Sequence, residues 1–222
     1  MIPWLLIDKT TLVGGEEMSL HRRDDEFVIR VGRQELMNSR MHGSEDALGE
    51  LASQAISDRA KPRMLIGGLG MGFTLAAALK ALPTDAEVIV SELVPAVVEW
   101  NRGPLSSFSA GGLDDPRVEL YLGDVAALIG EASGDFDAIV LDVDNGPEGL
   151  TQDTNDTLYT PAGLQAAHRA LRPGGVLAIW SVSQDAAFSR RVKKAGFSVT
   201  EVPVHAHGSR GRRHFIWLAQ KK

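Results

Sequence analysis

The chain has 222 residues, 44% of them hydrophobic, which is enough to bury a sizeable core in one domain or in one domain with a small appendage. Its 23 basic and 29 acidic residues leave a formal charge of −6, an unfavourable balance for a general nucleic-acid partner, which needs a basic footprint. There is no cysteine, so a disulfide framework, a thiol nucleophile and a zinc–thiolate site are excluded; no apolar run reaches membrane-spanning length and residues 1–10, with a short apolar run and no basic n-region, do not resemble a signal peptide, so a cytoplasmic protein without a membrane partner is expected.

Residues 1–37 alternate short apolar runs (4–7, 11–13, 27–31) with turn chemistry at Gly14-Gly15, Asp24-Asp25 and Gly32. That punctuation predicts two or three antiparallel strands in a small β-hairpin segment. After a connector over 38–43, Ser44 is placed to cap a helix whose apolar residues Ala47, Leu48, Leu51, Ala52, Ala55 and Ile56 keep helical spacing. Pro62 closes the connector, so a boundary near residue 60 separates hairpins and linker helix (1–60) from an α/β body (61–222).

That body opens on 63–92, which has the order strand, glycine loop, helix, strand, acid. Gly68, Gly70 and Gly72 alternate after an apolar run, an alanine- and leucine-rich helix begins near Phe73, and a second apolar run ends in Glu92, about 20 residues past the loop. Three glycines alone can serve tight turning and packing; followed by that acid they form a nucleoside-binding βαβ unit. The spacing is neither the dinucleotide G-x-G-x-x-G nor the triphosphate G-x-x-x-x-G-K-[ST], so a single nucleoside with a short tail fits best.

Strands and helices continue to alternate: helix 95–101, a long loop over 103–115, strand 118–122 ending in Gly123-Asp124, and strand 136–141 ending at Asp142. Helix 161–171 is expected to stop at Arg172-Pro173-Gly174-Gly175, before strand 176–180, helix 184–195 and a closing pair, 197–204 and 214–219. The pattern predicts a Rossmann-like, doubly wound, mostly parallel sheet with an antiparallel edge hairpin. Ligands in such a sheet sit beyond the carboxyl ends of the strands, where Gly68–Gly72, Glu92, Gly123-Asp124 and Asp142 all fall. A carboxylate at Glu92 can accept from both hydroxyls of a ribose, and Asp124 is placed to accept from an exocyclic amine such as adenine N6; for each, capping a helix is the plainer role.

The motifs IGGLGMG, SELVPAVVEWNR, YLGD, FDAIVLDVDNGP and LRPGGVLAIW resemble the class I S-adenosylmethionine-dependent transferases, and among them the spermidine synthase (polyamine aminopropyltransferase) branch, over roughly residues 26–180. The resemblance implies a cofactor-binding set of Gly67, Gly68, Gly70, Gly72, Glu92, Leu93, Gly123, Asp124, Val125 and Asp142, with Glu92 on ribose, Asp124 on adenine and Asp142 opening the catalytic loop. The donor it implies is S-adenosylmethionine or its decarboxylated form.

Three departures fall where the chemistry happens. The branch carries an aspartate in its glycine loop, GGGDGG, where this chain has Gly70; its D-[ST]-[ST]-D-P motif meets Asn145 at the second acid; and the segment before the linker helix has no tyrosine. Asp144, one residue before Asn145, is the first candidate for proton acceptor, beside Asp142. Glu148, Asp153 and Asp156 extend an acidic lining suited to a cationic amine, and Tyr159 is a candidate pocket wall. His205 and His207 lack metal-site company, and no metal is expected; 208–214 is the one basic patch, read as a charged hairpin loop at the sheet edge. Aminopropyl transfer to a polyamine such as putrescine is the leading expectation. Methyl transfer to a small acceptor and a catalytically silent nucleoside-binding interaction protein are the alternatives, and a homodimer stays open.

Overall fold

The computed structural model describes residues 2–143, 156–207 and 210–222. Strands β1 (Leu5–Thr11), β2 (Glu17–Arg23), β3 (Glu26–Val31) and β4 (Gln34–Asn38) form an antiparallel meander in that order. This is one strand more than the turn chemistry predicts, because β4 carries polar Gln34 and Glu35 and offers no apolar run. On β2 and β3, alternate residues Met18, Leu20, Phe27, Ile29 and Val31 are buried in one apolar cluster with the helices of the main domain. Two contacts pin the sheet there: Phe27 meets Phe108 edge-on with ring centres 5.7 Å apart, and the Trp100 indole N–H donates to Asp8 at 2.8 Å.

Helix α1 (Gly43–Gln54) follows. Its N-cap is His42, not Ser44; Ser44 lies inside the first turn, buried, with its hydroxyl turned to other side chains. The helix packs on α2 (Phe73–Ala81) so closely that a Cβ at Gly49 would stand 2.5 Å from the Thr74 carbonyl oxygen.

The main sheet has the order β10-β11-β9-β8-β5-β6-β7, built from β5 (Arg63–Gly67), β6 (Glu87–Glu92), β7 (Val118–Leu122), β8 (Phe136–Leu141), β9 (Leu171–Ser181), β10 (Phe197–His207) and β11 (Arg210–Lys221). Strands β9, β8, β5, β6 and β7 pair in parallel, while β11 runs antiparallel to both β9 and β10. Helices α3 (Pro95–Arg102), α4 (Val125–Glu131), α5 (Asp156–Tyr159), α6 (Pro161–Ala170) and α7 (Ala186–Lys194) complete the doubly wound, Rossmann-like architecture. Successive β5 residues serve opposite cores: Met64 and Ile66 face the cluster of α1, α2 and the N-terminal sheet, and Leu65 faces that of α4, α6 and α7. A strand buried on both faces has no polar alternation, which is why 64–66 of β5 and 138–141 of β8 are continuous apolar runs.

Two boundaries differ from expectation. Helix α6 ends at Ala170, and β9 begins at Leu171, running through Arg172-Pro173-Gly174-Gly175. A register shift against Phe136 and Ala138 absorbs the irregular start, and Arg172 is held by a 2.7 Å ion pair to buried Asp137, which also accepts the Arg63 backbone N–H. Helix α7 starts at Ala186 because the Asp185 carboxylate caps it, accepting from the N–H groups of Ala187 and Phe188.

The strand order reverses at β5, which has β6 on one side and β8 on the other, so a crevice opens beyond the carboxyl ends of β5 and β8. The α1–α2 contact that borders this crevice is open to test. Helix propensity alone favours Gly49→Ala by about 1 kcal/mol, but the Thr74 carbonyl leaves no room for the methyl group. The substitution is expected to destabilise by about 1–3 kcal/mol in urea unfolding; a rise in midpoint would show that the helices separate freely.

Candidate active site

At the end of β5 the chain turns through Gly68, Leu69, Gly70 and Met71 into Gly72, the left-handed N-cap of α2. Gly68 has φ +88°, and the carbonyl of Asp142 lies where its Cβ would stand; Gly70, at φ +52°, faces the Met37 sulfur, 3.0 Å from its Cβ position. A side chain is therefore excluded at Gly68 by conformation and by the Asp142 backbone, whereas at Gly70 it would be strained and would have to displace the flexible end of Met37. Gly67 is overlain by Val125, and Gly72 by Ser109.

Glu92, at the end of β6, is 8% exposed and ties this loop to the next turn: one carboxylate oxygen accepts the Leu69 N–H at 2.9 Å, the other the Val94 N–H at 2.8 Å. Burial raises its pKa, and those backbone N–H groups oppose the rise. Each oxygen keeps a further lone pair for a ligand hydroxyl. Asp124, after β7, caps α4 through the Ala126 N–H at 2.8 Å, so the plainer role weighed for it is real. Both carboxylates border one cavity, together with Gly68, Gly70, Leu93, Gly123, Val125 and Asp142. Of the expected cofactor set, Gly67 and Gly72 support the loop without lining that cavity.

The rest of the cavity contains groups that motif reasoning missed. Met18, Ile29, Leu36 and Met37 of the N-terminal sheet make an apolar wall over the glycine loop, and the Met37 sulfur accepts the Met71 N–H at 3.2 Å. Glu45 enters from the first turn of α1. Its polar neighbourhood, Ser-Glu-Asp at a helix start, has the signature of capping, and only the fold turns Glu45 inward. Trp180, at the end of β9, adds an indole N–H that is buried and has no hydrogen-bond partner among the described residues.

Asp142 and Glu45 meet through Thr74. The Thr74 hydroxyl lies 2.6 Å from an Asp142 carboxylate oxygen, to which it donates, and 3.2 Å from the Glu45 carbonyl oxygen. Asp142 is enclosed by protein on most sides but keeps a face open to the cavity; burial pushes its pKa up to about 6 against the Thr74 hydrogen bond. Glu45 is pushed up to about 7, first by burial and then by the charge of Asp142, with the hydrogen bond donated by Ser44 opposing. Two carboxyl groups that resist simultaneous ionisation form a receptor for a cation and a place to leave a proton.

Tyr159 is 3% exposed; its ring packs against Phe188 and its hydroxyl donates to the Val143 carbonyl at 3.4 Å, so it supports the chain beyond Asp142 and does not line the cavity. Asp144, Asn145, Glu148 and Asp153 lie outside the described residues, as does the Asp156 side chain.

Residues 45–194 match the family model of the spermine/spermidine synthase domain. Among curated proteins the chain is similar to the polyamine aminopropyltransferase of Mycobacterium tuberculosis, with 31% identity over 166 residues, 71% of this chain and 30% of the relative. It is also similar to putrescine N-methyltransferase 4 of Nicotiana tabacum, with 35% identity over 160 residues, 67% of this chain and 39% of the relative. The chain thus spans about a third of the length of these relatives. The crystal structure of spermidine synthase from Thermotoga maritima superposes with a TM-score of 0.75 at 21% identity, covering 98% of this chain and 73% of that one, a likeness of fold.

The raised pKa of Glu45 makes a prediction about stability. Its contribution is fully present below the unfolded value of 4.5 and is lost as pH rises through about 7. Glu45→Gln removes that loss, so its thermal midpoint is expected to gain on the wild type as pH rises from 5 to 8. The limit is about 3 kcal/mol, at 1.36 kcal/mol per pKa unit. Parallel melting curves for the two proteins across that range would show that Glu45 ionises as an ordinary surface acid.

Proposed function

The chain belongs to the spermine/spermidine synthase domain family, and from that premise we propose that it transfers an alkyl group from a sulfonium nucleoside to an amine. The leading form is aminopropyl transfer from decarboxylated S-adenosylmethionine to a diamine such as putrescine. The observation that carries this reading is the division of one cavity into a nucleoside half, with Glu92, Asp124 and the glycine loop, and an acidic half, with Asp142 and Glu45.

The residues present fit such a donor. The second lone pairs of Glu92 suit a ribose diol, Leu93 and Val125 offer apolar surface to a base, and Asp124 stands at the same end of the cavity. The sulfonium supplies an already activated carbon. What remains for the protein is to place a nucleophile in line and remove one proton. Asp142, beside the nucleoside loop, attracts the ammonium form of the acceptor, and a carboxylate that has released its proton takes one from the nitrogen. Asp144, the first candidate for that step in the sequence, lies beyond the described residues.

A second reading, methyl transfer to the same kind of amine, rests on Met37. Where the family's glycine loop carries an aspartate, this chain has Gly70 with the Met37 thioether against it. An apolar wall does not favour the ammonium tail of the decarboxylated donor.

Calorimetry with S-adenosylmethionine and its decarboxylated form separates the two readings, with Glu92→Ala expected to weaken both at least tenfold. A tenfold preference, about 1.4 kcal/mol, for the decarboxylated donor supports aminopropyl transfer, and the opposite preference supports methyl transfer. The pair Gly70→Asp with Met37→Ala, which makes room for the acid, is expected to shift the preference toward the decarboxylated form. If neither donor binds, the nucleoside assignment fails.

A further inference from the structure

Ser44 lies between the cavity and the edge hairpin. Its hydroxyl is 2.5 Å from a Glu45 carboxylate oxygen and 2.9 Å from Nδ1 of His214 on β11. Ser44 is fully buried, Glu45 is 8% exposed and lines the cavity, and His214 is half-buried, with its ring against Trp180 at 4.8 Å between centres. These groups make a continuous hydrogen-bonded line from the acidic half of the cavity to a ring with access to solvent. A serine that served only to cap α1 would bond to the backbone of its own first turn, and this helix has no side-chain cap.

We propose that Glu45 takes the proton shed by the amine nucleophile and passes it through Ser44 to His214. This rests on the amine-transfer reading above and deepens it. In the transfer the nitrogen forms one bond to carbon, the carbon–sulfur bond breaks with its electron pair going to sulfur, and one N–H proton is surplus. Glu45 accepts that proton. The Ser44 hydroxyl, which donates to the ionised carboxylate, turns toward Nδ1 once the carboxyl is protonated. Glu45 then gives its proton to the serine oxygen as the serine proton moves to the imidazole of the Nε2–H tautomer, and the imidazolium releases one proton to solvent. Atoms and charge balance, and the carboxylate is restored.

Among the described residues the charged or titratable groups facing Glu45 are Asp142 from the end of β8, Asp46 from its own helix, and His214 through Ser44. Burial and the two acids disfavour its ionised form, so at pH 6 it holds a proton in the free enzyme and releases it when a cation arrives. That behaviour makes binding itself a readout, separate from turnover.

The test titrates putrescine into the full chain saturated with 5′-methylthioadenosine at pH 6, in two buffers of different ionisation enthalpy, to count released protons. Wild type is expected to release a large fraction of a proton, and Glu45→Gln less than half as much. In turnover, Glu45→Gln is expected to lose about 100-fold in kcat, the low end for general acid–base groups, together with the acid limb of the kcat–pH profile. Ser44→Ala keeps the carboxylate and the proton count but is expected to lose about tenfold in kcat, restored by added imidazole and by Ser44→Thr. If putrescine binds but Glu45→Gln leaves proton count and pH profile, and Ser44→Ala leaves kcat, as in wild type, the relay is wrong and amine transfer stands. If putrescine does not bind the wild type at any pH, both readings fall together.

Discussion

The carbonyl of Asp142 occupies the space that a Cβ on Gly68 would need, and much of the site follows from that one contact. It is possible because β5 and β8 are parallel neighbours, with the Asp142 N–H donating to the Gly67 carbonyl at 2.9 Å just beyond the last paired residues. Any side chain at Gly68 would push the ends of the two strands apart. With glycine there, the acid that follows β8 stands directly against the loop that follows β5, so the acidic and nucleoside halves share one wall. The next turn is then held by Glu92, whose carboxylate takes a backbone N–H from the glycine loop and another from the start of α3.

Of the three acids at this junction Glu92 and Glu45 are buried and Asp142 keeps one face open to the cavity, and the structure treats them differently. Burial raises the pKa of Glu92, and the backbone N–H donors around it oppose that rise, favour the ionised form and fix the carboxylate as an acceptor for hydroxyl groups. Asp142 and Glu45 have one hydroxyl donor each, from Thr74 and Ser44, and they face one another's charge. A fixed acceptor and a proton-exchanging pair are thus made from the same functional group by changing the number of donors around it. Thr74 matters beyond its hydrogen bond. It sits in the first turn of α2, under Gly49 of α1, so the close packing of the two helices sets how near Glu45 of α1 comes to Asp142, which Thr74 holds.

The sheet and most of its ligand edge were legible in the sequence because β5, β6 and β8 are buried on both sides, while the exposed edge strand β7 was marked by its closing Gly123-Asp124. Apolar runs such as 64–66 and 138–141, closed by glycine or acid and separated by helical spacing, are what buried parallel strands ending at a ligand require. The misreadings have local causes. Arg172-Pro173-Gly174-Gly175 has the composition of a stop, but Asp137, buried one strand away, draws Arg172 into the sheet. Strand β4 opens on polar Gln34 and Glu35 and has only Leu36-Met37 as an apolar pair, too short a run to be read as a strand. Glu45 was invisible as a site residue because its inward aim depends on where α1 lands, a matter of Gly49 against α2 and of Ser44 against a histidine 170 positions away in the chain. No local pattern contains that distance.

The N-terminal sheet adjusts the site instead of founding it. Met18, Ile29, Leu36 and Met37 reach the cavity only because β2, β3 and β4 present an apolar face over the glycine loop. That face meets the loop at Gly70, where an aspartate would have to displace the Met37 sulfur. The residue at position 70 and the residue at position 37 therefore form one unit, since an acid at the first needs space at the second. A thioether is polarisable and flexible, so Met37 can pack against a methyl group or an aliphatic tail without a charged partner. Replacing a charge with this contact leaves the nucleoside half intact, because Glu92 and Asp124 take their support from β6, β7 and α4 and not from the small sheet. In the proposed function, donor choice and nucleoside binding thus fall to different layers of the protein, which lets one change while the other is kept.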